Sequence, residues 1–227
     1  MNFNFDSLKD TNFVSESQQY LKPYDIYKVK LSEIKKDTLK GKDGTDYKIV
    51  TIGFSGEEGV FSTNLFYPSK DSDFERTENE KTHKIQPSAF DRFQHSLMQI
   101  VQVLNPAGAD KIKENASKIK TLDDFVDLII KGTSSKMNVE VYLKLVGRNV
   151  DGKTYSNLPT PCWYDAKDNK VKPLNFLSTD KNKLNFSSYE IQLANTYKNS
   201  KPTDMDEVDP DKKDGDLDLS DLNGIEL

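Results

Sequence analysis

A chain of 227 residues, 35% hydrophobic and 30% charged, is long enough for one sizeable folded body. Its net charge of −5 is uneven: Asp204–Leu227 holds ten acids and two lysines, which leaves 30 basic and 27 acidic side chains on residues 1–203. No apolar run approaches the ~18–20 residues of a membrane span, Met1–Asp6 has neither a basic stretch nor an apolar signal core, and the single Cys162 excludes an internal disulfide or a cysteine-cluster metal site, so no membrane association is expected and a reducing cytoplasm fits.

Residues 1–22 mix Asn, Asp, Ser and Gln with a few aromatics and no period, which reads as an N-terminal arm ahead of a domain over 23–198. From Tyr24 the pattern alternates, Tyr27, Val29 and Leu31 on one face and Lys28 and Lys30 on the other, the period of a half-buried strand. Gly41-Lys42-Asp43-Gly44 supplies turn residues, and Tyr47–Phe54, dense in β-branched and aromatic side chains, predicts a second strand. That strand offers two candidate outward faces, Tyr47/Ile49/Thr51 and Lys48/Val50/Ile52/Phe54. Gly56–Gly59 turns the chain into a third strand over 60–67, which Pro68 ends by removing a donor.

Residues 69–84 are polar without a period and read as an exposed loop. Phe90, Phe93, Leu97, Ile100, Val101 and Leu104 then recur at helical spacing, with Ser88 as cap and Asn105-Pro106 as a stop. A weaker helix is expected over roughly 109–119. Thr121–Asp124 resembles a capping box opening a third helix, with Leu122, Phe125, Val126, Ile129 and Ile130 on its apolar face and Gly132 closing it. Met137–Leu145 alternates cleanly and predicts a fourth strand, and Asp151-Gly152 is a hairpin signal leading into Lys153-Thr154-Tyr155 as a fifth. Cys162-Trp163-Tyr164 reads as a further edge strand, and Leu184–Phe186 and Ser188–Glu190 as segments packing back on the body. Beyond about Asn199 the composition turns to Lys, Pro, Asp and Gly, the signature of disorder.

Three meandering strands, a helical segment and a two-strand hairpin follow the element order of an OB-fold, a five-stranded, partly open barrel whose strands 2 and 3 and adjoining loops grip oligonucleotides. The expected fold is therefore mainly β: a five-stranded OB-fold-like barrel with a helical insertion at about 87–132 between the third and fourth strands and a disordered acidic tail over 199–227. Other small barrels and α+β domains share that order.

Binding a single strand without sequence preference needs cations for phosphates and exposed rings for bases, each ring contributing about 1–3 kcal/mol. Both occur on the predicted strands and turns: Lys28 and Lys30 on strand 1, Lys42, Tyr47 and Lys48 around the first turn, Tyr142 and Lys144 on the polar face of strand 4, Arg148, Lys153 and Tyr155 at the last hairpin, and Trp163 beyond it. Each has a plainer reading. Strand aromatics such as Phe54, Phe61 and Phe66 are more commonly core, single lysines are commonly a solvated face, and a lone Trp more often fills a core.

The last segment alternates acid with apolar residues: Asp216, Leu217, Asp218, Leu219, Asp221, Leu222, Ile225, Glu226 and Leu227. A solubilising tail needs no Leu or Ile; these residues suit docking in a basic-rimmed apolar pocket, while the charge mimics a nucleic-acid backbone. In element order over 24–160 and in the tail 204–227 the chain resembles the single-stranded DNA-binding proteins of bacteria and, by its insertion and length, more particularly those of bacteriophages. It departs from them in lacking a terminal Pro-Phe pair and the cysteine cluster of zinc-containing phage relatives. The resemblance implies a non-enzymatic protein, without cofactor or metal, that coats transient single-stranded DNA during replication and recombination. It also implies a tail that recruits replication or recombination proteins and competes with DNA for the body's own groove.

Three rivals are weaker. Aligning Gly215 with the glycine of an EF-hand loop places Pro210 at the first ligand position, and no amphipathic helices flank Asp209–Asp218. For an enzyme, only His83 and His95 are present, neither in a metal-binding motif; Gly41–Thr45 lacks phosphate-loop spacing, and Cys162 has no recognisable partner. Nucleases using scattered carboxylates are disfavoured rather than excluded. An adaptor or virion component with the same small barrel and an acidic interaction tail is the remaining alternative.

Overall fold

The computed structural model describes residues 19–76, 78–79 and 84–199; the predicted arm below residue 19, His83 and the acidic segment 200–227 lie outside them. In chain order the elements are β1 (Asp25–Lys40), β2 (Asp46–Gly56), β3 (Gly59–Phe66), β4 (Glu78–Asn79), β5 (Lys84–Ile85), α1 (Ala89–Leu104), α2 (Pro106–Glu114), α3 (Leu122–Ser134), β6 (Glu140–Val150), β7 (Lys153–Asn157), β8 (Cys162–Asp165), β9 (Lys170–Pro173), β10 (Leu177–Ser178) and α4 (Ser188–Asn199). Single turns of 3-10 helix occupy 71–74, 116–118 and 181–183.

The predicted meander forms as β1–β2–β3, each pair antiparallel. Alternation sends Val29, Leu31, Val50, Ile52, Phe54 and Phe61 inward, all at most 4% exposed, which settles the face of β2: Val50/Ile52/Phe54 is the core side and Tyr47/Thr51 the outer side. The β2–β3 turn requires glycine at position 59, where φ is +139° and a Cβ would come 2.2 Å from the Gln19 carbonyl oxygen. β1 changes partner along its length. Asp25–Lys30 pairs with β6 and Lys30–Lys40 with β2. The register slips between Leu31 and Glu33, so Ser32 is the extra residue of a β-bulge.

The helices follow their caps. Ser88 Oγ accepts from the Asp91 amide while the Asp91 carboxylate accepts from the Ser88 amide, and Thr121 and Asp124 repeat the arrangement at α3. One expectation holds with an addition and one fails. Asn105-Pro106 stops α1 but also starts α2, because Pro at the first helical position loses no bond and the Asn105 side chain accepts from the Gly108 amide. Gly132 does not close α3, which runs to Ser134; it lies inside the helix, where a Cβ would sit 3.4 Å from Val101.

The architecture is mixed α/β rather than mainly β. The expected insertion supplies one wall of the core: Phe93, Leu97, Ile100, Val101, Phe125, Val126 and Ile129 join Val29, Ile52, Phe54, Leu143 and Leu145 in one buried cluster. The six-stranded sheet runs β10-β6-β1-β2-β3 with β7 on β6, and it does not close. No ladder joins β3 to β7; a cleft of about 300 Å³ lies between β3 and Asn157–Pro161. Pro159 and Pro161 have no amide hydrogen to offer such a ladder. The predicted Cys162–Tyr164 strand pairs with β9 in a separate ribbon instead of extending the main sheet. Part of the expected 69–84 loop is ordered as the 71–74 turn and the β4–β5 pair.

Candidate nucleic-acid interface

The bulge decides which side chains share the outer face. Before it, Lys28 and Lys30 point outward; strict alternation would carry Ser32, Ile34 and Lys36 after them. The extra residue inverts the remainder of β1, so that Glu33, Lys35, Asp37 and Leu39 oppose Gly53, Thr51, Ile49 and Tyr47 on the outer face, while Ile34 turns into the core. Lys36, on the core side, reaches α3 and pairs with Asp127 at 2.7 Å.

β3 completes the surface with Ser62, Asn64 and Phe66, opposite Gly53, Thr51 and Ile49. Thr51 Oγ1 donates to Asn64 Oδ1 at 3.1 Å, and Tyr47 meets Phe66 edge to face with centroids 6.2 Å apart. Ile49 is buried on this side, apart from the main core cluster. The result is a polar band of hydroxyls and amides ending in a small aromatic patch beside the Gly41–Thr45 turn, where Lys42 is exposed.

Of the predicted residues, Lys28, Lys30 and Tyr142 come together: Lys28 opposes Tyr142 and Lys30 opposes Glu140 on the β1–β6 ladder. Arg148 and Tyr155 oppose each other on β6–β7, with Lys153 at the Asp151-Gly152 turn, whose two residues take the left-handed φ of +51° and +79° expected of a type I′ hairpin. Tyr155 is 51% exposed. Lys30, Arg148 and Lys153 form no ion pair among the described residues.

Three assignments need correction. Lys144 is on the outer side of β6 but only 6% exposed. Its ammonium donates to Glu190 Oε2 and to the Asn185 carbonyl oxygen, each at 2.8 Å, under the Phe186 ring. It anchors α4 across the face and divides the Tyr142 cluster from the Arg148 cluster. Lys48 is on the opposite side of β2 from Tyr47 and donates to Asp123 at 2.7 Å, tying the sheet to α3. Trp163 is 43% exposed but stands on the β8–β9 ribbon, its ring 5.7 Å from the Lys172 ammonium, away from the sheet face.

Sequence reading missed Lys35, Ser62 and Asn64 as surface partners, left Thr51 on one of two candidate faces, and took Phe66 for core. Ser62, Asn64 and Phe66 do alternate with Phe61 and Leu65, a legible signal; Lys35 was not legible, because no residue type announces a bulge at Ser32.

The charge on the face is interleaved. Lys28 pairs with Glu140 at 2.7 Å, and Lys35 with Glu33 at 2.7 Å. The hydrogen bond and charge of Lys28 hold the Glu140 carboxyl below its ordinary range. Among the described residues no group of three His, Cys, Asp or Glu side chains is placed to hold a metal ion, and no helix is long and apolar enough to cross a membrane. Burial lowers the pKa of His95, and the Asp91 charge partly opposes this. Comparison with protein-family models, with curated proteins and with solved structures finds no match.

Proposed function

We propose that the chain is a non-enzymatic binder of single-stranded nucleic acid, DNA foremost, acting where single strands are transiently exposed in replication or recombination, as in phage-type single-stranded DNA-binding proteins. In this reading β1, β2, β3, β6 and β7 are the five strands of a partly open OB-type barrel, with α1–α3 between the third and fourth. A 16-residue first strand that pairs with the fourth over one half and the second over the other supports it.

The observation that carries the functional reading is the outer face of β1–β3 and the adjoining start of β6. It presents cations (Lys28, Lys30, Lys35), hydrogen-bonding side chains (Thr51, Ser62, Asn64) and rings (Tyr47, Phe66, Tyr142) on one surface, the combination that tracks phosphates and stacks bases. Arg148, Lys153 and Tyr155 extend it past α4. The acidic segment 204–227 recruits replication or recombination proteins in this scheme, with Leu217, Leu219, Leu222, Ile225 and Leu227 as its apolar anchors.

The test is fluorescence anisotropy of a labelled oligo-dT of about thirty nucleotides, several times the smallest site of one such domain, against its duplex at low and moderate salt. Preferential single-strand binding that weakens with salt is expected, and Tyr47→Ala and Tyr142→Ala are each expected to weaken it. Absence of binding at micromolar protein, with residues 204–227 present or removed, would leave the adaptor reading in its place.

A further inference from the structure

The flank of α1 that faces away from the sheet carries Phe90, Gln94, Met98 and Gln102, four residues apart and therefore on one stripe. With the 71–74 turn and the α2–α3 connection it lines an open groove of about 880 Å³. The walls are apolar: Phe74 stacks on Phe90 with centroids 5.2 Å apart, and Met98, Ile119, Leu122 and Phe125 continue the surface. Phe74 is 48% exposed. The charged residues lining the groove are lysines, Lys113 and Lys120, with no carboxylate among the lining side chains. Lys113 holds Gln102 at 2.6 Å and Asp110 at 3.4 Å, and Lys120 has no ion pair among the described residues.

We infer that this groove is the docking site of the chain's own acidic segment 214–227. Leu217, Leu219, Leu222, Ile225 and Leu227 match its apolar walls, and Asp216, Asp218, Asp221 and Glu226 match a rim of lysines. The fourteen residues 200–213 that follow α4 reach about 45 Å when extended, comparable with the roughly 40 Å breadth of a body this size. Tethering raises the local concentration of the segment to the millimolar order, so a weak intrinsic affinity suffices. The groove is on the helical side, remote from the outer face of β1–β3, so the segment holds an intramolecular seat from which a partner protein or a filled groove can displace it without contact with bound nucleic acid. This inference goes beyond the binding reading above and does not depend on it.

The experiment places a nitroxide at Ser220→Cys in the full-length, ¹⁵N-labelled chain and reads paramagnetic broadening of amide signals. Cys162 is buried, with a thiol pushed up to about 11 by that burial, so the label goes to position 220. Broadening at 90–103 and 112–122 is expected. It should vanish in the Leu217→Ser/Leu219→Ser/Leu222→Ser variant and weaken in Lys113→Glu/Lys120→Glu. The first variant alters no residue of the described body and the second only two exposed side chains. Broadening on the outer face of β1–β3 alone, broadening nowhere, or broadening that survives the triple substitution overturns the inference. So does broadening that depends on mixing spin-labelled with separate ¹⁵N-labelled chains, which would assign the groove to a second copy.

Discussion

Glu190 receives hydrogen bonds from Lys144 at 2.8 Å and from the Ser187 amide at 2.6 Å. Burial pushes its carboxyl upward, but these bonds and the Lys144 charge outweigh burial and leave it below the ordinary range. A depressed carboxyl contributes stability above its unfolded pKa of about 4.3 and loses it as pH falls through the lower folded value. Detachment of α4 is therefore expected only under acid conditions, and hydrogen exchange of amides 188–199 against pH checks it. Lys144→Met leaves a half-buried carboxylate without its donor, an effect of about 1–3 kcal/mol expected to appear as faster exchange in α4 with oligo-dT affinity nearly unchanged. If Lys144 touched DNA instead, affinity would fall. Glu140→Gln, by releasing Lys28 on the outer face, is expected to tighten oligo-dT binding severalfold at low salt, whereas Lys30→Ala weakens it; anisotropy titrations distinguish the two signs.

At the scale of elements, β1 accommodates one extra residue, Ser32. Because side chains alternate with a period of two, deletion of Ser32 would leave Leu31 inward, Glu33 outward and Ile34 inward on an unbroken ladder, so both faces survive and only the local bend and twist of the bulge are lost. The expected loss of stability is therefore no larger than the ~1 kcal/mol typical of a point substitution, readable in urea denaturation. Thr121→Ala removes a cap that the sequence itself announced and is expected to cost about 1 kcal/mol without touching binding. Gln99 shows the opposite case. Its carboxamide donates to the Leu174 carbonyl oxygen at 2.8 Å and accepts from the Phe176 and Leu177 amides, so a buried polar residue on α1 pins the return to β10. Nothing in the amphipathic pattern of α1 separates Gln99 from a solvated residue, because its partners are 75 or more residues away.

For the whole molecule, the expected salt dependence follows from the count of cations at phosphates. About three to four contacts give a slope of log K against log salt of roughly −2 to −3 for a single strand, and each lysine removed lowers its magnitude by about 0.7. Residues 204–227 carry ten acids and two lysines, so their deletion should tighten binding at low salt. If the segment sits in the helical groove, its influence on the outer face is long-range, and the gain should fade near 0.15 M, where the screening length is about 8 Å. A gain that persists at that salt would indicate direct occupancy of the nucleic-acid face.

Local signals were sufficient for the elements whose causes are local. The alternation of β1 and β6, the caps at Ser88 and Thr121, and the Asp151-Gly152 turn depend on neighbours within a few residues, and each formed, with β6 spanning Glu140–Val150 rather than 137–145. Tertiary structure decided what depends on partners distant in sequence. Helices α1–α3, inserted between β3 and β6 as expected, became a wall of the main core, and the unpaired gap between β3 and β7 left the sheet open. The bulge at Ser32 brought Lys35 to the face, and α4 drew Lys144 out of it. Lysine on an outward strand position is equally suited to phosphate, solvent or a carboxylate, and only the folded arrangement selects among them.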